Sequence, residues 1–398
     1  MSESLLETAW PVPADDPYPV LAQLRQKSPL HYVEGLDCYF VVAHREAHAV
    51  LSGSSWSADP RTNEAIADRF NASSAGDLLT KSVLFSDPPE HHRLRRSLSG
   101  HLSPRATEAM RPRIRSIVGA AFTDLTDLDS FEVMISLAYS VPLAVICELL
   151  DVGVDAAHVI RNEISKMTAM LDPLAESGEV EEGVGAAFGV MLQLVPLVAQ
   201  RRSSPGDDLL SALVSSAGGQ PGLEADEAIM MGLLLLAAGH ETTANLIANA
   251  VVCLHQHPDL VRALRRNPEL LAQAIDELTR YESPVQLTSR VAKNNVRLGE
   301  VEFEPGAQVL VSIGGANRDP DAFEDPDRLD FSRVGSGHLS FGHGVHFCAG
   351  ASLARVEVQE VLVRLISLDP PLEDRAVTAQ RGRSHTFRNF DSLLVTRR

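Results

Sequence analysis

The sequence is poor in cysteine. Its 398 residues contain four, Cys38, Cys147, Cys253 and Cys348, and none stands in a CxxC pair. That spacing gives no support to a zinc cage, a thioredoxin-type site or a CxxCH attachment site. Met1 to Trp10 has neither a cationic lead nor a sustained apolar run, so it does not read as a secretory signal. Scattered cysteines without such a signal read as reduced thiols, and the expected location is cytoplasmic. Long apolar runs are lacking too. The longest strongly apolar one, Ile229 to Gly239, falls short of the roughly 20 residues a bilayer requires, so it reads as a buried helix and no membrane partner is expected. Positive charge is scarce, with 35 Lys and Arg against 53 Asp and Glu and a net charge of -18. A field of that sign repels nucleic acid.

What is present fits an ordinary globular chain, 44% hydrophobic and 22% charged. Length alone would suggest two or three domains. No linker, internal repeat or low-complexity tract divides the sequence, so one domain over residues 1–398 is expected. Leu30 to Val42 turns at Glu34-Gly35 and reads as a β-hairpin. Arg61 to about Ser86 lacks periodicity and reads as a long loop with a short helix at most. From His91 to about Val214 apolar residues recur at helical spacing, in Met110 to Leu125, Val141 to Leu150 and Val184 to Arg202, where Pro196 should kink the helix. Leu223 to His257 is the longest helical segment, apolar on nearly all faces in its middle and stopped by Pro258. Pro268 to Tyr281 is another helix. Val296 to Ile313 is strand-like around a Pro305-Gly306 turn, Asn317 to Arg333 is ordered coil, and Ala351 to Leu368 is a last helix. The fold class is mainly α, an α+β arrangement with small sheets.

The strongest local signal is Phe341-Gly342-His343-Gly344-Val345-His346-Phe347-Cys348-Ala349-Gly350, immediately before a helix. Glycines allow tight turns and close approach of backbone to a flat ligand. A helix N-terminus favours an adjacent thiolate, and loop amides can hydrogen-bond its sulfur. A cysteine beside a glycine-rich turn is also a common buried structural residue. The whole decapeptide, however, resembles the cysteine-ligand motif of the cytochrome P-450 family, F-x-x-G-x-[HR]-x-C-x-G, at Phe341, Gly344, His346, Cys348 and Gly350. The resemblance implies a helical bundle around haem b (iron protoporphyrin IX), with Cys348 as the axial thiolate and metal ligand.

Three further segments agree, in the order the family uses. Ala238-Gly239-His240-Glu241-Thr242-Thr243 lies mid-helix. A buried carboxylate there is costly without partners, and a helical threonine commonly bonds back to a carbonyl. Gly239 is expected to leave space beside the helix for a small ligand. The segment resembles the family's [AG]-G-x-[DE]-T-T motif, which implies that Thr242 hydrogen-bonds dioxygen at the iron and that Glu241 helps deliver two protons. Glu277 and Arg280 share a helix face; alone they would be a surface pair worth about 0.2–0.5 kcal/mol. They resemble the family's ExxR pair, whose triad is completed by an arginine of the following coil, Arg328 as first choice and Arg333 as second.

Haem carries two carboxylates, and in this acidic chain no Asp or Glu occurs from Phe331 to Val356 or from His91 to Thr107. By resemblance His91, Arg95, Arg290 and His338 would bind the propionates with His346 assisting, while Phe341, Gly350 and Ala238 would also contact the haem. Arg93 and Arg96 read as a solvated face that can steer an acidic electron donor. The implied activity is monooxygenation of an apolar small molecule by dioxygen, with electrons from a ferredoxin-type partner. Its pocket would be lined from Arg61–Phe85, the helix near Leu235 and Ala238, Val285 to Thr288, and Thr386-Phe387. A haem sensor or carrier and a peroxide-driven oxygenase are the alternatives, and the Glu241–Thr242 pair speaks against both.

Overall fold

Leu30–Val33 (β1) and Cys38–Val41 (β2) form the antiparallel hairpin read from the sequence, closed by a 3-10 turn at Glu34–Leu36. The computed structural model describes residues 11–397, apart from 65–66, 68–79, 124, 126–127, 173–174, 217–220, 334, 336 and 370. Met1 to Trp10 and most of the Arg61–Ser86 loop therefore lie outside the described residues. The hairpin is the edge of a five-stranded sheet ordered β1-β2-β8-β5-β3. Its other members are Trp56–Ser57 (β3), Leu287–Ala292 (β5) and Gln308–Ser312 (β8). The β2–β8 pairing is parallel, and β8 with β5 and β5 with β3 are antiparallel. A second sheet joins Ser130–Glu132 (β4), Phe390–Arg397 (β10) and Arg375–Arg381 (β9). The Val296–Ile313 segment holds one more turn than its sequence suggests. Gly299, at φ 61°, reverses Val296–Leu298 (β6) into Val301–Phe303 (β7) before the Pro305-Gly306 turn leads into β8.

The helices are Tyr18–Lys27 (α1), His44–Ser52 (α2), Glu90–Leu98 (α3), Pro104–Thr123 (α4), Ser140–Leu150 (α5), Val154–Glu163 (α6), Ser177–Ser203 (α7), Leu209–Val214 (α8), Ala225–Gln256 (α9), Pro258–Arg266 (α10), Leu271–Tyr281 (α11) and Ala351–Leu365 (α12). Helix α9 runs 32 residues through the core, opened by a Glu224/Glu227 capping box and followed by Pro258 at the start of α10. Its all-round apolarity matches its neighbours, since α5, α7, α11 and α12 all pack on it. Helix α7 continues through Pro196 and is long and apolar enough to cross a membrane by length and composition. A third (33%) of its most apolar window is buried, and it packs on α6, α8 and α9. Polar and glycine interruptions hid this helix from a search for unbroken apolar runs.

Candidate active site

The cysteine loop folds as its glycines require. Gly342 and Gly344 sit at φ 68° and 67°, where L side chains are strained. At Gly344 a Cβ would come within 2.9 Å of the Leu51 carbonyl oxygen and 3.0 Å of Ser52 Cα. The loop is thus pressed against the end of α2. The Cys348 N–H donates to the Phe341 carbonyl at 2.8 Å, closing the loop ahead of α12. Three of the four cysteines are buried, and Cys348 is exposed. Burial pushes the Cys38 thiol up to about 12 and that of Cys147 up to about 11, which makes both poor ligands. The Cys348 sulfur borders open space yet is ringed by enough protein that desolvation raises its thiol as well. Against that act the backbone N–H groups of Gly350 and Ala351 and the charges of Arg95 and Arg355, all of which favour the thiolate. At Gly350 a Cβ would meet no protein atom within 4 Å, so the chain's own packing does not demand glycine there.

Four of the expected propionate ligands come together. His91 is 1% exposed, and among the described residues neither of its ring nitrogens has a hydrogen-bond partner. Its ring lies 4.3 Å, centroid to centroid, from that of His346. Arg95 follows one turn later on α3, close enough to feel the Cys348 sulfur. Arg290, on β5, bonds to the Ser289 carbonyl at 2.7 Å and the Thr288 hydroxyl at 3.4 Å. Burial holds these groups low, and like charge adds to it at the two histidines. His91 is pushed to about 4 by burial and Arg95, His346 to about 3 by burial and Arg290, and Arg290 to about 10 by burial. The acid that bears on both His91 and Arg290 is Asp87, and its carboxylate already accepts from the Ser57 hydroxyl at 2.6 Å and the Ala58 N–H at 3.1 Å. A partly buried group of donors without a matching anion fits a dicarboxylate ligand. His338 joins a different group. Its Nε2 lies 3.9 Å from Asp276, its Nδ1 accepts from the Ser340 N–H at 3.3 Å, and its ring packs 5.6 Å from Phe341. Arg355 binds the same Asp276 at 2.7 Å and lies 4.4 Å over the Phe341 ring.

On α9, Ala238 and Thr242 share one face, and Ala238 is exposed although the helix is buried on either side. The Thr242 hydroxyl donates to the Ala238 carbonyl at 2.6 Å. Glu241 points inward at 3% exposure. Its Oε1 accepts from the Asn245 amide at 3.3 Å, its Oε2 has no partner among the described residues, and burial pushes it up to about 7. A carboxyl near neutrality suits proton transfer. At Gly239 a Cβ would lie 3.5 Å from the Ile146 side chain of α5, an ordinary packing contact, so this part of the helix faces α5.

The Glu277–Arg280 pair is no surface pair. Arg280 is fully buried and donates to both Glu277 oxygens at 2.7 and 2.8 Å, and to the carbonyls of Asn317 at 2.7 Å and Pro326 at 2.9 Å. Arg333 completes the triad, its Nε 3.2 Å from Glu277. The expectation for Arg328 fails, because that residue offers Arg280 its carbonyl at 3.3 Å and not its side chain. Asn317 carries the network to the cysteine loop, accepting from the Leu339 N–H and donating to the Ser340 hydroxyl, both at 2.8 Å. Sequence reasoning did not single out His240, Asn245 or Tyr139, which surround Glu241. The available signal was a histidine beside an acid inside an otherwise apolar helix.

The profile of the family described as Cytochrome P-450 matches residues 193–368. Cytochrome P-450 107B1 of Saccharopolyspora erythraea is 37% identical over 367 residues, covering 90% of this chain and 89% of that protein. The 6-deoxyerythronolide B hydroxylase of the same organism is also 37% identical, over 90% of this chain and 89% of its own. Among solved structures, P-450BioI in complex with an acyl carrier protein ligated to hexadec-9Z-enoic acid superposes with a TM-score of 0.90 at 31% identity, covering 97% of this chain and 98% of that one. Fold, cysteine loop and relatives together define a haem-thiolate monooxygenase, an enzyme that oxidises a small molecule with dioxygen and two electrons from a redox partner. Its cofactor is haem b. The chain belongs to the cytochrome P-450 family.

Proposed function

We propose that Cys348 is the axial thiolate of this enzyme and that His91, Arg95, Arg290 and His346 hold the haem carboxylates, with His338 contributing from the other side of Phe341. When bound, the haem supplies oxygen activation; the chain supplies position and protons. Phe341 and Gly350 would contact it from the cysteine loop and Ala238 from α9. Glu241, poised near neutrality by burial, gives up a proton, and Thr242 passes it on by turning its hydroxyl away from the Ala238 carbonyl. The observation that carries this reading is the exposed Cys348 sulfur facing two backbone N–H groups while the other three cysteines are buried. Cys348→Ala tests it. The far red-shifted Soret band of the reduced carbon monoxide complex should disappear, and its survival would remove Cys348 from this role.

The substrate is an apolar small molecule. Leu235 and Ala238 on α9, Val285 to Thr288, and the Thr386-Phe387 loop bridged to Val285 offer mainly apolar side chains. The fatty acyl chain and the testosterone in related solved structures are apolar as well. Electrons arrive from a ferredoxin-type donor steered by basic groups near the cysteine loop. The chain works as one domain in the cytoplasm without membrane or nucleic acid, with α7 reading as a packed helix because α6, α8 and α9 contact it.

A further inference from the structure

Beside Glu241 the central helix buries a second polar residue for which the roles above have no use. His240 is 2% exposed; among the described residues neither ring nitrogen has a partner in good hydrogen-bond geometry, although the Tyr139 carbonyl lies near enough to favour the protonated ring. Its Nδ1 lies 3.9 Å from Glu241 Oε2, itself unpartnered, and Asn245 Oδ1 is unpartnered too. Buried polar atoms are nearly always paired. A contiguous group of such atoms is a site for an ordered water, which needs two to four polar partners. The His240 ring stacks on Tyr139, centroids 5.3 Å apart at 20°, and Tyr139 is half-buried where the π-helical turn Met134–Ala138 meets α5. Arg161, exposed on α6, acts electrostatically on the ring, and Glu132 and Asp391 act on Tyr139. One nitrogen of the ring thus lies toward Glu241, one ring face lies on half-buried Tyr139, and the exposed Arg161 is near enough to act on it.

We propose that His240, bridged by an ordered water to Glu241, carries protons from the Tyr139–Arg161 side of the protein to Glu241, and that Tyr139 is the positioning residue that fixes the ring. This rests on the reading of Glu241 as proton donor. Burial pushes His240 to about 4, with Arg161 acting the same way and the Tyr139 carbonyl opposing. The ring is therefore neutral at pH 7, with one N–H and one lone pair. A proton arriving at the nitrogen away from Glu241 releases the proton on Nδ1 through the water to the Glu241 carboxylate, charge is conserved at each transfer, and proton exchange with water returns the ring to its starting tautomer. The 3.9 Å gap exceeds hydrogen-bond range, so the water is part of the route.

The holoenzyme variants His240→Phe, His240→Gln and Glu241→Gln test this. Phenylalanine keeps a ring on Tyr139 and removes both nitrogens. The readouts are product formed per electron consumed and, in resting protein, the infrared band of the protonated Glu241 carboxyl, identified by its loss in Glu241→Gln. His240→Phe should shift that band, move its midpoint upward from about 7, since a donor to the carboxylate is lost, and lower coupling several-fold; His240→Gln should recover part of each. Wild-type band and coupling in His240→Phe overturn the proposal. If His240→Phe fails to fold, His240→Gln decides: a wild-type band and coupling overturn the proposal, and partial shifts support it. Unchanged coupling in Glu241→Gln would instead overturn the role of Glu241 itself.

Discussion

Two regions of this enzyme bury arginine, and they do so in opposite ways. Around Glu277, Arg280 and Arg333 the polar groups meet a partner, carboxylate or carbonyl. Around His91, Arg290 and His346 donors crowd together without a matching anion; burial holds all three below their ordinary values, and neighbouring cations lower the two histidines further. A satisfied buried network fastens the chain to itself. An unsatisfied one awaits something else, in our proposal the carboxylates of the cofactor.

The difference is open to mutation. The largest effect is expected from Arg280→Leu, which strands Glu277 in the core. Breaking a buried pair costs about 3–5 kcal/mol, so urea unfolding should show a protein barely folded and unable to retain haem. Arg290→Ala should do the reverse. Loss of a charge-assisted hydrogen bond, about 1.5–3 kcal/mol, should speed haem transfer to an acceptor protein roughly 10- to 100-fold. The haem-free protein should melt no lower than wild type, since a charge held in the protein at a desolvation cost is removed. A melting temperature that falls as far as that of Arg280→Leu would erase the distinction.

The pH dependence follows the same division. His91 is held near 4 in the folded chain against an ordinary value of 6.5. Between these values the unfolded chain binds more protons, so folding stability should fall as pH drops from 6.5 toward 4. His91→Gln should flatten that slope in haem-free protein, measured by denaturant melts at several pH values. The smallest pair of effects separates the two coil arginines. Arg333→Leu should cost about 1 kcal/mol, as Glu277 retains both bonds from Arg280, while Arg328→Ala should stay within about 0.5 kcal/mol because its carbonyl is untouched.

The sequence made local chemistry legible and long-range packing obscure. Cys348 and its glycines could be read because the turn is built from adjacent residues, and α9 because apolarity on all sides leaves a helix nowhere but the core. Arg333 could not be told from Arg328, since both lie in one coil and only the path of that coil past α11 decides which side chain reaches Glu277. Gly239 reads as room for a ligand, and only the fold shows that Ile146 of α5 lies beside it. The surroundings of His240 were equally hidden, because Tyr139, which stacks on it, lies about a hundred residues away in the sequence.

Gly344 carries one last consequence. It leaves no room for a Cβ beside Leu51 and Ser52, so the cysteine loop packs directly on the end of α2. A disturbance at the front of the chain, such as a residue inserted into α2, would therefore be felt at the sulfur without touching any residue of the loop.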